Sequence, residues 1–348
     1  MIRRTLIALF VVLATAHAGA EAQVLTFEHD GLQRRYRVHV PSDLEAGAPL
    51  VLVLHGYGGS GAGMQNNFGW PQLADERGFA VAFPDGTRDQ WNSRFWNVGY
   101  EFHASETVDD DGFLVALSGH LQELHDLDPE RTFVTGFSNG GDMSFQLACR
   151  RTDAFQGFAP VCGTMMDLLY VDCEPANPRP ILAISGTADG ITLFGGDMDN
   201  SDGWGAYRPM PEVIDLWKTL LDVPILETTT LPDIDPNDGS VIEHDRHRSK
   251  VHPRELRFYR VVGGDHDWPG RSGNMDIDAT REIWDFFESI LPEPPANPAD
   301  LDGDGRVNAS DLGILLGAWG PGSPGGDVNG DGSTDSTDIG LLLGAWTG

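Results

Sequence analysis

Basic residues are scarce in this chain: 23 Lys and Arg stand against 53 Asp and Glu in 348 residues, a formal net charge of −30. That imbalance repels phosphate backbones and anionic lipid surfaces, which excludes nucleic-acid binding. Long apolar runs are scarce as well. The run from Leu6 to Ala16 is too short to span a bilayer and no later segment is longer, which excludes membrane insertion. Cysteine is limited to Cys149, Cys162 and Cys173, so a disulfide-rich scaffold is ruled out, and their spacing matches no zinc site. Cys162 and Cys173 flank one loop and form the candidate bridge. Cys149 falls in a helical pattern and reads as a small buried apolar residue.

What is present divides the chain into four parts. Met1-Ile2-Arg3-Arg4 followed by the apolar run has the form of a secretory signal over residues 1–22, with cleavage after Ala22 preferred to Ala18. The protein is therefore expected outside the cell or at its surface. From 23 to 291 strand and helix patterns alternate. Arg35 to Val40 alternates with period two, and the wholly apolar Leu50 to Leu54 implies a strand buried on both faces of a parallel sheet. Further strands are read at Ala80 to Phe83, Thr132 to Thr135, Gly157 to Val161, Ile181 to Ser185 and Leu256 to Val262. Helical patterns cover Gly112 to Leu127, Asn139 to Arg150, Pro211 to Leu221 and Asp276 to Ile290. Such alternation predicts an α/β fold built on a doubly wound, mostly parallel sheet. Thr228 to Pro253 is polar and reads as a surface excursion with one hairpin, its histidines solvated. A proline-rich linker at 292–299 precedes a small C-terminal part, 300–348.

Gly136-Phe137-Ser138-Asn139-Gly140 is a G-x-S-x-G sequence lying between an apolar strand and a helix, the context in which a serine hydroxyl projects from a sharp turn. In α/β-hydrolases the nucleophile is followed along the chain by an acid and then a histidine. Asp189, in Gly186-Thr187-Ala188-Asp189, follows the second strand after the serine, and His266, in Gly263-Gly264-Asp265-His266, follows the last. Both fall on loops at the carboxyl edge of the sheet. His244, His247 and His252 in the polar excursion, His103, His120 and His125 before the serine, and the acids Asp197, Asp199, Asp202, Asp265 and Asp267 are the competitors. Backbone N–H groups of Asn139 and Tyr57, the latter in the turn His55-Gly56-Tyr57-Gly58-Gly59, are the candidate oxyanion donors. His55 reads as a packed, hydrogen-bonded residue. Trp91 and Trp268 are candidate substrate platforms, with domain packing the competing role.

These motifs, with Val108-Asp109-Asp110-Asp111-Gly112-Phe113, Asp128-Pro129-Glu130-Arg131 and Asp267-Trp268-Pro269-Gly270, resemble the secreted polyhydroxybutyrate depolymerase and feruloyl esterase family over about Val24 to Leu291. The resemblance implies a serine ester hydrolase with no catalytic cofactor and the triad Ser138, Asp189 and His266. It departs from the family where Asp265 and Asp267 set negative charge beside the histidine.

The C-terminal part is an internal repeat with a period of 27 residues, Asp300 to Gly320 and Asp327 to Gly348. Asp300, Asp302, Asp304, Asn308 and Asp311 hold positions 1, 3, 5, 9 and 12 of a calcium loop, and Asp327, Asn329, Asp331, Asp335 and Asp338 repeat them, with Gly305 and Gly332 at the turn. A small α-helical domain holding two structural Ca²⁺ is expected. It resembles a dockerin module, which implies a cohesin-bearing partner or a cell-surface structure. Secretion and tethering suit a polymeric ester: a feruloyl or acetyl ester on plant polysaccharide first, a polyhydroxyalkanoate second. A catalytically silent scaffold is the reading from another class.

Overall fold

The computed structural model describes residues 24–291, 297–322 and 325–347. The signal sequence and most of the proline-rich linker lie outside the described residues. Two compact units divide at Ile290 and Leu291.

The larger unit contains β1 (Leu25–His29), β2 (Leu32–His39), β3 (Ala48–Leu54), α1 (Gly61–Asn67), α2 (Trp70–Arg77), β4 (Ala80–Pro84), the short hairpin β5 (Thr87–Arg88) and β6 (Arg94–Phe95), α3 (Asp110–His125), β7 (Leu127–Phe137), α4 (Asn139–Arg150), β8 (Gly157–Val161), α5 (Asp167–Val171), β9 (Ile181–Gly186), α6 (Met210–Leu221), β10 (Ile225–Thr230), β11 (Val241–Arg248), β12 (Glu255–Val262) and α7 (Ala279–Ser289). One 10-stranded sheet runs β1-β2-β4-β3-β7-β8-β9-β12-β11-β10. Its six central strands, β4 to β12 in that order, pair in parallel, and antiparallel strands flank them at both ends. It is the doubly wound, mostly parallel sheet that the alternation predicts.

Every residue of β3, β4, β8 and β9 is buried, because helices cover both faces. Leu50, Leu52 and Leu54 of β3 join one layer with Phe113 and Leu117 of α3, Phe145 of α4 and Trp217 of α6. On the opposite face Phe133 stacks on Phe287 of α7, ring centres 4.6 Å apart, and Phe79 on Trp284 at 3.7 Å.

Two expectations are corrected. The disulfide joins Cys149 to Cys173, Cα atoms 5.1 Å apart, and leaves Cys162 free and buried. Cys149 sits in the last turn of α4 and meets the loop after α5, whereas the end of β8 carries Cys162 into the interior. The polar stretch after Thr228 forms the expected hairpin, β10 against β11, but that hairpin extends the main sheet instead of standing apart as a surface excursion. His247, expected in solvent, is buried there with Asp245.

The smaller unit holds α8 (Ala309–Gly317), the strand pair β13 (Gly320–Pro321) and β14 (Ser333–Thr334), and α9 (Ser336–Gly344) around Ala299, Val307, Leu315 and Leu342. Each helix begins with a capping box, Asn308 with Asp311 and Asp335 with Asp338, in which two otherwise unpaired N–H groups are satisfied reciprocally.

Candidate active site

Ser138 occupies the single residue between β7 and α4, at φ 55° and ψ −121°. A non-glycine residue there carries strain on the order of 1–3 kcal/mol. The surrounding backbone holds it in place: Ser138 N–H donates to Val161 O at 2.8 Å, and Ser138 O accepts from Asp142 N–H at 2.9 Å. A Cβ on Gly136 would collide with Gly140, and one on Gly140 with the backbone of Leu54 and His55, so both glycines are fixed by close approach.

Two neighbouring loops carry Asp189 and His266. Asp189 follows β9 and is buried. Its Oδ1 accepts from the N–H groups of Ile191 and Thr192, both at 2.8 Å, and its Oδ2 lies 2.8 Å from His266 Nδ1. His266 follows β12, with its imidazole 4.9 Å from the Phe137 ring that precedes the serine. Asp265 turns away from the imidazole. Hydrogen bonds from Gly190 N–H (3.1 Å) and His266 N–H (2.8 Å) hold its carboxyl below the usual range and stitch the two loops together. Ser138 Oγ makes no hydrogen bond to His266 among the described residues. Cys162 Sγ lies with Asp189 and His266 in a cluster whose polar atoms are within 4.8 Å of one another. The thiol donates to Asp267 O at 3.2 Å, and burial pushes its pKa well up.

Asn139 opens α4, and its side chain is locked on Trp96: Oδ1 accepts from Trp96 N–H at 2.7 Å and Nδ2 donates to Trp96 O at 3.1 Å. The turn after β3 lies against Ser138, since a Cβ on Gly56 would come 3.2 Å from Ser138 Cβ. Gly58 N–H donates to Arg94 O at 2.7 Å, and the Tyr57 hydroxyl donates to Asp89 at 2.6 Å. Both nitrogens of His55 engage backbone, Nδ1 donating to Gly56 O (2.8 Å) and Nε2 accepting from Gly86 N–H (2.9 Å). Burial lowers its pKa to about 4, so it remains a neutral brace.

Ser138 opens on a recess of about 20 Å³ shared with Tyr100, Asp142, Met166, Ile191, Trp204 and Tyr207. Asp142 accepts from the Tyr100 hydroxyl and, at 2.7 Å, from Thr164 N–H, and burial pushes its carboxyl up to about 7. Sequence reading missed this wall. Asp142 stands four residues after Ser138, one helical turn on, and that spacing was the available signal. Tyr100 arrives on a distant loop and carries none, and Trp204 is legible only as one of several loop tryptophans. Trp91, at the tip of the β5–β6 hairpin, is 57 % exposed and meets Phe102, which in turn meets Trp204. Trp268 is corrected: it is 1 % exposed, donates to Thr280 Oγ1 at 3.1 Å and packs on Phe68, so no substrate can stack on it.

In the smaller unit, carboxylate oxygens of Asp300, Asp302 and Asp311 lie within 4.8 Å of one another. Asp300 accepts from the N–H groups of Gly303, Asp304 and Gly305, which curls the loop over it. Asp311 accepts from Leu301, Asp302 and Asn308, and Asp338 accepts from Val328, Asn329 and Asp335, so the repeat holds in three dimensions. Asp327 accepts from Asp331 and Gly332. Asn308 and Asp335 cap α8 and α9.

The profile of the family described as esterase PHB depolymerase matches residues 35–170, which include the serine turn and the glycine-rich turn after β3. Over that stretch the chain is similar to the esterase PHB depolymerase family. The putative esterase NocK of Nocardia uniformis subsp. tsuyamanensis is 34 % identical over 169 residues, 48 % of either chain. A bifunctional acetylxylan esterase/xylanase, XynS20E of Neocallimastix patriciarum, is 26 % identical over 164 residues, 47 % of this chain and 22 % of that one. The chain thus spans about half or less of the length of these curated relatives. Among solved structures, the acetyl xylan esterase from Aspergillus awamori shares the fold with a TM-score of 0.56 at 15 % identity, over 77 % of this chain and 98 % of that one.

Proposed function

We propose that this protein is a secreted serine carboxylic ester hydrolase that removes short acyl groups, acetyl first, from plant polysaccharide. The observation that carries the acyl preference is the recess beside Ser138. Its enclosed part, about 20 Å³, holds one water-sized group, which suits a methyl, whereas a feruloyl ring would have to lie in the open part of the cleft. The acetylxylan esterase named in the relative from Neocallimastix patriciarum agrees with that class of substrate.

In this reading His266 takes the Ser138 proton as Oγ attacks the ester carbonyl and passes it to the leaving sugar hydroxyl. Asp189, already 2.8 Å from Nδ1, fixes the tautomer and stabilises the imidazolium. Backbone N–H groups of Asn139 and Tyr57 receive the oxyanion, and water repeats the sequence on the acetyl-enzyme. Turnover of acetylated xylan, a methyl hydroxycinnamate and a hydroxybutyrate oligomer is the test. Acetyl release should be fastest and should vanish in Ser138→Ala. Faster cleavage of the cinnamate or the oligomer would overturn the acyl assignment, and unchanged turnover in Ser138→Ala would overturn the nucleophile.

The C-terminal unit is read as a dockerin-like tether to a cohesin-bearing partner or cell-surface structure, folded around calcium. The donor set fits a hard cation, since it consists of converging carboxylates on a curled loop. Asp300, Asp302, Asp304, Asn308 and Asp311 would hold one ion, and Asp327, Asn329, Asp331, Asp335 and Asp338 a second. Both are structural, supplying rigidity rather than chemistry.

A further inference from the structure

A second recess, of about 250 Å³, opens between the start of β2 and the β5–β6 hairpin. In a chain of net charge −30 it is lined by four arginines, Arg34, Arg35, Arg88 and Arg94, together with Gln33 and Asp85. Counter-charge is insufficient. One oxygen of the buried Asp85 already accepts from Gly61 N–H at 2.8 Å. The other faces two guanidiniums, Arg94 at 3.3 Å and Arg35 at 4.0 Å. Arg88 reaches only the backbone carbonyl of Asn92. Arg34 is 3 % exposed. Its Nη2 pairs with Asp110 at 2.6 Å, but its Nη1 is buried with no hydrogen-bond partner among the described residues. Burial first, and then repulsion from Arg88, Arg35 and Arg37, lower the pKa of Arg94.

Arginines on an edge strand often serve only to block sheet-to-sheet pairing. That account fails here, because β1 covers β2 on the outer side and Arg35, Arg88 and Arg94 line a concavity, while Arg34 turns its guanidinium to Asp110 and the Phe113 ring beneath it. β2 pairs with β4 only from Tyr36 to His39, so its first half also turns backbone towards the recess. The half-buried Arg94 beside the exposed Arg35 and Arg88, without enough carboxylates, favours a planar anion that accepts two parallel N–H bonds. The overall negative field disfavours an extended polyanion and leaves a single charged group on an otherwise neutral chain.

The recess adjoins the catalytic turn. Gly86 N–H holds His55, and Arg94 O holds Gly58 N–H, so its rim and the turn that carries Tyr57 are one hydrogen-bonded body. We infer that this recess binds the carboxylate of an acidic sugar, a uronate side group of the polysaccharide whose acyl ester is cleaved next door. The inference rests on the esterase reading for its substrate, but not for its measurement.

Calorimetric titration of the full chain with glucuronate at fixed ionic strength is the test, with glucose and inorganic sulfate as comparison ligands. Glucuronate should bind, glucose should not, and sulfate should bind more weakly. The double variant Arg35→Ala/Arg88→Ala alters two exposed side chains and should weaken glucuronate by about tenfold or more. An unchanged melting temperature shows that it is folded, and Arg35→Lys/Arg88→Lys should recover part of the loss. No binding of glucuronate, equal binding by the alanine variant, or sulfate as tight as glucuronate overturns the assignment. Hydrolysis of 4-nitrophenyl acetate reads the esterase separately: turnover without glucuronate binding rejects the recess alone, and glucuronate binding without turnover rejects the esterase alone.

Discussion

At the scale of single residues the cleft is governed by two buried carboxylates with different partners. Asp189 is buried but receives two backbone N–H bonds and the imidazole, whereas Asp142, one helical turn after Ser138, has burial pushing its pKa up to about 7. A raised folded-state pKa favours the protonated fold. The stability Asp142 contributes is therefore complete below its unfolded pKa of about 3.9 and is lost as pH rises through about 7. Asp142→Asn removes that dependence. The melting temperature of the unaltered chain should fall relative to the variant between pH 4 and pH 8, by an amount equivalent to a few kcal/mol; parallel curves would show that the carboxyl ionises freely. The meeting of Asp189 with His266 is legible in strand order, because both loops leave the same sheet edge. The burial of Trp268 is not legible, since a loop tryptophan gives no sign of which side packs.

Among the elements, the serine turn depends on the glycines that let α4 approach the end of β3. Gly140→Ala drives a Cβ into the Leu54 and His55 carbonyls and should cost more than about 2 kcal/mol, with loss of activity even where the fold survives; denaturant unfolding together with a turnover assay reads both. The central strands could be read from the sequence because burial on both faces makes them continuously apolar. β10 and β11 could be read only as a hairpin in a polar stretch, not as strands of the main sheet. Their inward positions include Asp245 and His247, and charges there are balanced by ladders such as Arg260 with Glu243 and Asp245, both at 2.7 Å. A strand stabilised by ion pairs leaves no hydrophobic period to detect. The short α1 and α2 escape notice for a related reason: α1 is seven residues long and rich in glycine and asparagine.

For the whole molecule, the two compact units predict separable responses. Chelation with EGTA should unfold the C-terminal unit, seen as a lost low-temperature transition in calorimetry, while acetyl release by the larger unit persists; activity that falls with calcium would join the two. The disulfide predicts the reverse pattern. Ser138 caps α4 at its start and Cys149 lies in its last turn, so the bridge to Cys173 secures the far end of the helix that positions Ser138. Closing a 24-residue separation stabilises by about 3 kcal/mol, so reduction should lower the melting temperature of the catalytic unit and shorten the working life of the esterase on warming. In practical terms, yield of durable enzyme depends on oxidative folding. A production host that keeps thiols reduced would deliver the right sequence in a heat-labile form, and a thiol-free buffer is the proper medium for assaying it.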